Sequence, residues 1–364
     1  MSMQFIDQCG CCPPRSAFAA SLDRRHFMAA SAAAIGGGAI AGLGPGLGAK
    51  AIAQPQPLRI DVHHHIAAPE WVTALRKANL SYPLIDDWTV EKSLEDMDRA
   101  GIATAMTSPT TPQASFLGKD DAVAITRASN DYAKKLTLDH PGRFGLFAML
   151  PLPHIEESLR EIEYAFDVLK ADGVGILTSY GNRWLGDPHF MPIWEELDRR
   201  KATVYTHPTS ANCCVNLVEG IPDTTVEYGA DTTRSIASLI FSGTSQRFEN
   251  INFIFSHGGG VLTATAERFL IQMVRMPPYR DTFTREIVEK ELKRFFYDTA
   301  QIANSVTMAA LVKLVPVSQV VFGSDFPYRS AEEHVKGLAA TFSANELRLI
   351  DRDNALRILP RLRA

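Results

Sequence analysis

Asp61-Val62-His63-His64-His65-Ile66 (D-V-H-H-H-I) comes directly after the apolar Leu58 and Ile60. A β-strand sends side chains i and i+2 to one face, so His63 and His65 point together while Val62 and His64 take the other side. Two imidazoles converging at the carboxyl end of a buried strand supply half of a metal site, because neutral imidazole is the commonest ligand for zinc and related ions. The other half must come from elsewhere in the chain.

Working outward, the chain from Gln54 onward repeats one pattern: a short β-rich apolar run followed by a helix-like segment. The runs are Arg59 to His65, Ile102 to Ser108, Phe144 to Leu150, Gly173 to Ser179, Thr203 to His207, Ile251 to His257, Phe295 to Thr299 and Gln319 to Asp325. Their hydrophobicity is nearly continuous, as in parallel strands covered by helices on one side and a core on the other. Helical periodicity fills the gaps: Val90 to Ala100, Asp120 to Asp139, Ile155 to Ala171, Met191 to Lys201, Thr232 to Arg247, Ala264 to Val274, Thr284 to Lys293, Ser305 to Leu314 and Ala331 to Ala340. Eight such units predict an α/β fold, a (β/α)8 TIM barrel forming a single domain over 54–364. An open doubly wound sheet would want a glycine-rich phosphate loop after the first strand, and His64-His65-Ile66-Ala67-Ala68-Pro69 is not one. The long segment Ala67 to Thr89, with Trp71, Tyr82 and Trp88, is expected as a loop on the catalytic face, either capping the pocket or lying on the surface.

The ionisable residues fall at the strand ends. His207 closes run five in Y-T-H-P-T, His257 run six in F-S-H-G-G-G and Asp325 run eight in F-G-S-D-F-P-Y. Catalytic groups of barrels collect at the carboxyl ends of strands, and burying five ionisable side chains together without a partner is costly. A shared metal site accounts for them all. His26, His140, His154, His189 and His334 lie away from these ends and receive no role.

Composition bounds the remaining readings. Of 364 residues 46% are hydrophobic and 21% charged, which is ordinary for a globular chain, and a net charge of −4 gives no basic surface for nucleic acid. The first 53 residues differ: Ser21-Leu22-Asp23-Arg24-Arg25-His26-Phe27-Met28 precedes an Ala- and Gly-rich run and then Ala51-Ile52-Ala53. Paired arginines, a mildly apolar stretch and a small-x-small site predict an export signal of the twin-arginine type over 1–53, cleaved after Ala53, with a periplasmic or otherwise extracytoplasmic mature protein. Glycines crowd the stretch from Gly36 to Gly48, which makes it a poor membrane anchor. The segment holds Arg15, Arg24, Arg25 and Lys50 against Asp7 and Asp23, so its loss takes the charge from −4 to −6. Cys9, Cys11 and Cys12 leave with it. The adjacent Cys213 and Cys214 that remain imply no disulfide framework.

H-x-H after strand one, H-P after strand five, S-H-G-G after strand six and G-S-D-x-P after strand eight resemble the amidohydrolase superfamily, in particular the amidohydrolase-2 branch related to aminocarboxymuconate semialdehyde decarboxylase. The resemblance runs over most of the chain after residue 54, to Asn354-Ala355-Leu356-Arg357-Ile358-Leu359. Within the branch, G-D-P-x-F-x-P-I-W-E-E-L-D-R-R and Y-D-T-A look most like 6-methylsalicylate decarboxylases. The resemblance implies His63, His65, His207 and Asp325 as metal ligands and His257 as the acid/base residue beside them. Binuclear members carry a bridging lysine at the end of strand four, where this chain reads Ile176-Leu177-Thr178-Ser179-Tyr180. One divalent ion is therefore expected, zinc first and manganese second.

The same resemblance places Trp184, in Gly181-Asn182-Arg183-Trp184, as a wall of an aromatic pocket and Arg234, in D-T-T-R-S, as a carboxylate clamp. The function it implies is non-oxidative decarboxylation of a small ortho-hydroxy aromatic acid of the 6-methylsalicylate or resorcylate kind, with Asp325 or His257 as proton donor. The alternative is metal-dependent hydrolysis of a lactone, ester or amide, for which export speaks. The partners implied are the aromatic carboxylate substrate and the twin-arginine export machinery; a homodimer is left open.

Overall fold

Runs of β-branched and aromatic residues become the strands, and the covering helices start and stop where caps dictate. The computed structural model describes residues 58–363; the export signal expected over residues 1–53, with Cys9, Cys11 and Cys12, lies outside them. The strands are β1 (Arg59–His65), β2 (Ile102–Ser108), β3 (Phe144–Met149), β4 (Gly173–Leu177), β5 (Ser179–Tyr180), β6 (Arg183–Trp184), β7 (Thr203–His207), β8 (Asn252–Phe255), β9 (Phe296–Asp298) and β10 (Val320–Val321). Eight of them form one sheet in the order β1-β2-β3-β4-β7-β8-β9-β10, every pairing parallel. β5 and β6 are a separate antiparallel hairpin directly after β4.

The ring is joined where the chain beyond β10 runs beside β1. The Val62 N–H donates to the Phe322 carbonyl at 2.9 Å, the Asp325 N–H to that of His63 at 2.8 Å and the His65 N–H to that of Phe326 at 2.9 Å. All eight expected strands are present. The last three are shorter than expected, and beyond β8 and β10 the chain enters the left-handed region, with φ of +53° at His257 and +62° at Asp325.

Helix limits show the local chemistry. Thr89 accepts the Lys92 N–H at 3.2 Å to start Val90–Ala100, and Gly101, at φ +65°, ends it. Asn304 caps Ser305–Leu314 in the same way. One expected limit is corrected: the helix read as beginning at Thr232 begins at Asp223 and runs to Phe241. Gly229 lies within it, and a Cβ there would lie 3.3 Å from Val261. A second correction concerns Ala67 to Thr89, expected as a loop. It carries helices Pro69–Lys77 and Pro83–Asp86, and it sends Trp71 and Trp88 into the core, where their indole N–H groups reach the Gln113 carbonyl and Ser93 Oγ.

Helices cover the outside of the ring through a large apolar layer that includes Trp194, Phe253 and Phe295. A smaller inner cluster joins Phe147, Tyr205, Ile254 and Val321 to Ile358 and Leu359 of the C-terminal segment, which thus closes the end of the ring away from the site. Thr203 Oγ1 donates to the Ile358 carbonyl at 2.6 Å and fastens that plug.

Candidate metal centre and substrate cavity

His63 and His65 project from β1 and His207 from the end of β7, while Asp325 sits where the chain turns off β10. One ligand-type atom from each of these four buried residues lies within 4.8 Å of the others. His63 Nε2 and His65 Nε2 are 3.1 Å apart, and Asp325 Oδ1 is 3.0 Å from the first and 3.1 Å from the second. His64 points to the opposite face, as alternation demands, with Nε2 3.0 Å from Ser93 Oγ.

The three rings are oriented by what their other nitrogens meet. His63 Nδ1 faces Asp298 Oδ2 at 2.7 Å, His65 Nδ1 the Ser108 carbonyl at 3.2 Å and His207 Nδ1 the Pro208 carbonyl at 2.9 Å. Carbonyl and carboxylate oxygens only accept, so Nδ1 carries a proton in each ring and Nε2 is the nitrogen turned to the common point, where it offers a lone pair once it is deprotonated. Burial, with the charge of neighbouring imidazoles, lowers the pKa of His65 and holds that of His207 well below the usual histidine value, which keeps both neutral as ligands must be. Burial also opposes charging His63, but the carboxylates of Asp325 and Asp298 outweigh it and raise its pKa to about 10. Burial would raise Asp325, yet the charge of His63 and hydrogen bonds from three histidines hold it well below the carboxylate range. Three imidazole nitrogens and one carboxylate oxygen in a buried, pre-oriented set fit a divalent cation.

His257 stands beside this group without joining it. Its Nε2 is 3.3 Å from Asp325 Oδ2, and its backbone N–H donates to Asp298 Oδ1 at 2.8 Å. The turn that presents it is built by Gly258, Gly259 and Gly260, at φ +61°, +80° and +70°. A Cβ on Gly260 would lie 2.1 Å from the Gly229 carbonyl oxygen, so only glycine lets this turn dock on the helix Asp223–Phe241.

A cavity of about 830 Å³ opens over His207, His257 and Asp325. Its walls bring Tyr82 and Leu80 from the segment after β1, Tyr228 from the helix after β7, and Tyr328 with Thr110. The Tyr82 and Tyr328 hydroxyls are hydrogen-bonded to each other, and Tyr328 Oη donates to Thr110 Oγ1 at 3.1 Å. Burial raises the pKa of all three phenols, so they meet a ligand as neutral hydroxyls. No lysine or arginine is among the described residues that line the cavity. Its volume is in the usual range for small-molecule sites.

Two substrate residues expected from sequence are not brought into that wall. The Trp184 indole donates to Asp231 Oδ1 at 2.7 Å, and the same carboxylate accepts from Thr178 Oγ1 at 2.5 Å and Ser179 Oγ at 2.8 Å. Trp184 thus ties the β5–β6 hairpin to the helix Asp223–Phe241. Arg234 lies in the middle of that helix, not at its start, with its side chain 39% exposed and 3.6 Å from Glu227. Asp298, which has no role among the residues expected from sequence, orients His63 and holds the His257 backbone, and its place in Y-D-T-A at the end of a barrel strand was the available signal.

The Amidohydrolase family matches residues 60–361. This chain belongs to that family. It is 34% identical over 325 residues to the 6-methylsalicylic acid decarboxylase acuB of Aspergillus aculeatus, a match that takes in 84% of this chain and 97% of the relative. To a 6-methylsalicylic acid decarboxylase of Penicillium expansum it is 33% identical over 316 residues, again covering 84% and 97%. Among solved structures, the dihydroxybenzoic acid decarboxylase of Polaromonas sp. JS666, with bound manganese and the inhibitor 2-nitroresorcinol, superposes with a TM-score of 0.72 at 20% identity over 84% of this chain and 98% of that one. That last likeness speaks for the shared barrel.

Proposed function

We propose that this amidohydrolase-family member is a metal-dependent, non-oxidative decarboxylase of a small aromatic acid with a hydroxyl ortho to the carboxylate, of the 6-methylsalicylate or resorcylate kind. The observation that carries this reading is a buried three-histidine, one-aspartate group, the one such cluster among the described residues, beneath a cavity walled in part by neutral hydroxyls, in a chain 34% identical to a 6-methylsalicylic acid decarboxylase. His63, His65, His207 and Asp325 would hold one divalent ion, zinc first and manganese second. An ion bound there would supply Lewis-acid stabilisation of negative charge on the substrate.

The chain's own residues account for the remaining chemistry. Loss of CO2 from an aryl carboxylate would leave an unstabilised carbanion, so the ring carbon is protonated first. A C–H bond forms there, the bond to the carboxylate then breaks, and its electron pair restores the aromatic ring. His257, which lines the cavity with its Nε2 3.3 Å from Asp325 Oδ2, would deliver that proton, and Asp325 would share it. The tyrosine hydroxyls and Thr110 would orient the ring.

Hydrolysis of a lactone, ester or amide is the rival. A panel of 2-hydroxybenzoates, 4-hydroxybenzoates, lactones and anilides separates the two, with CO2 release and bond cleavage followed in parallel. CO2 from the 2-hydroxy acids alone supports the proposal; lactone cleavage without CO2 from any hydroxybenzoate overturns it. Export through a twin-arginine signal over residues 1–53 is proposed from Arg24 and Arg25 in S-x-x-R-R-x-F-M. Processed protein beginning near Gln54 should reach the periplasm, and replacing both arginines by lysine should keep it inside the cell; delivery of the double variant would remove the assignment.

A further inference from the structure

Two residues without a role so far meet behind Asp325. His334 belongs to the helix Ala331–Ala339 and is 1% exposed. Its Nδ1 faces the Ser330 carbonyl at 3.1 Å, so Nδ1 is the donor and Nε2 bears the lone pair. Onto that lone pair the Gln301 backbone N–H donates at 3.0 Å. Burial lowers the His334 pKa, which preserves Nε2 as an acceptor.

Gln301 follows β9 by three residues and holds φ at +62°, in the left-handed region that a glutamine rarely enters. Such a backbone persists only where its surroundings fix it, and the bond to His334 is one such constraint. The result aims the side chain at the site: Gln301 Nε2 donates to Asp325 Oδ2 at 2.8 Å, and the residue lines the cavity. Because a carboxylate oxygen can only accept, the amide orientation is settled, with Oε1 turned away from Asp325. The other oxygen of the carboxylate, Oδ1, faces His63 and His65. A carboxylate has two equivalent oxygens and swings readily between one-oxygen and two-oxygen binding of a cation, so whatever pins Oδ2 decides how Asp325 presents itself.

We propose that Gln301 is a positioning residue for the reaction and that His334 holds it: the chain from Ser330 through His334 and Gln301 keeps Asp325 Oδ2 toward the cavity and leaves Oδ1 for the ion. The inference rests on the proposed metal-dependent reaction, but part of its test does not depend on the substrate. Co2+-loaded protein is compared with the Gln301→Ala, His334→Leu and His334→Gln variants and with the double variant Gln301→Ala/His334→Leu. Metal content, the visible Co2+ spectrum and, on the 2-hydroxybenzoates, kcat and KM are measured.

The expected result is one retained Co2+ in each variant, with the same altered spectrum in Gln301→Ala and His334→Leu as Asp325 changes its hold on the ion. His334→Gln, which keeps an acceptor and a donor, should return toward the parent spectrum. kcat should fall about ten- to hundred-fold, the effect of one hydrogen bond to a charged group, with KM changed less than about threefold and the double variant no worse than Gln301→Ala. A parent spectrum and parent kcat in Gln301→Ala would overturn the proposal, as would loss of the ion with activity, which would make the role purely structural. Additive losses in the double variant would break the link to His334. If the parent cleaves lactones and releases no CO2, the decarboxylase reading fails while the spectra still decide the placement of Gln301. Should His334→Leu not fold, Gln301→Ala, at an exposed position, decides alone.

Discussion

Asp298 serves two parts of the site with one carboxylate, Oδ2 orienting the His63 ring and Oδ1 holding the backbone N–H of His257. Asp298→Asn would turn an amide N–H toward the Nδ1–H of His63, and metal affinity should fall about 10–100-fold while the fold is kept; a chelator competition showing parent affinity would refute the orienting role. His207→Ala should lose both ion and activity. His257→Ala should keep the ion and lose about 10²–10⁴-fold in turnover, and metal analysis of the two variants separates ligand from acid/base residue. The His63 pKa adds a pH prediction. In metal-free protein it stands at about 10, above the usual 6.5, so the stability it contributes is complete below pH 6.5 and is lost as pH rises through about 10. An ion must displace that proton, so binding should tighten with pH up to about 10 and release about one proton per chain at pH 7.5, read by calorimetry in two buffers of different ionisation enthalpy. The ligand candidates were legible in the sequence because each ends an apolar run. Asp298 had a signal in its place at the end of the run Phe295 to Thr299, whereas Gln301 had none, since it lies beyond that run and its work depends on a left-handed backbone.

At the scale of elements, the site exists because parallel strands bring their carboxyl ends to one side and the turns beyond them leave the extended region at once. Gly260→Ala would place a methyl against the Gly229 carbonyl at a positive φ, pushing the His257 turn off the helix Asp223–Phe241. Its kcat/KM should fall at least about 10²-fold, with a lowered Tm, because small displacements of a catalytic group are costly; parent activity would show that the turn tolerates a side chain. The eight strands were readable from unbroken apolar runs. Two features were not. The helix Asp223–Phe241 starts before the expected Thr232 and runs through Gly229, which packs closely on Val261, and the expected loop after β1 carries two helices, each with a proline in its first turn, where proline is favoured. The same shift explains why Arg234, expected at a helix start facing substrate, stands mid-helix beside Glu227.

For the whole molecule, the inner cluster around Phe147 and Tyr205 and the plug of Ile358 and Leu359 close one end of the ring, and the group of three histidines and one aspartate occupies the other. The apolar layers should therefore hold the barrel without an ion, and an ion adds stability only through binding the folded state, by about 4 kcal/mol at a free concentration a thousand times its Kd. Metal-free protein should show a folded spectrum with a lowered, metal-restorable Tm; unfolding on chelation would assign the ion a structural role instead. The central claim is that one ion, held by His63, His65, His207 and Asp325, supports decarboxylation. Its most direct test is to add Zn2+ or Mn2+ stepwise to metal-free protein while following CO2 and 3-methylphenol from 2-hydroxy-6-methylbenzoate. The two products should appear in equal amounts, with a rate that rises linearly and breaks at one equivalent of ion per chain, and His207→Ala should show no such rise. A break at two equivalents, or full CO2 release without metal, would contradict it.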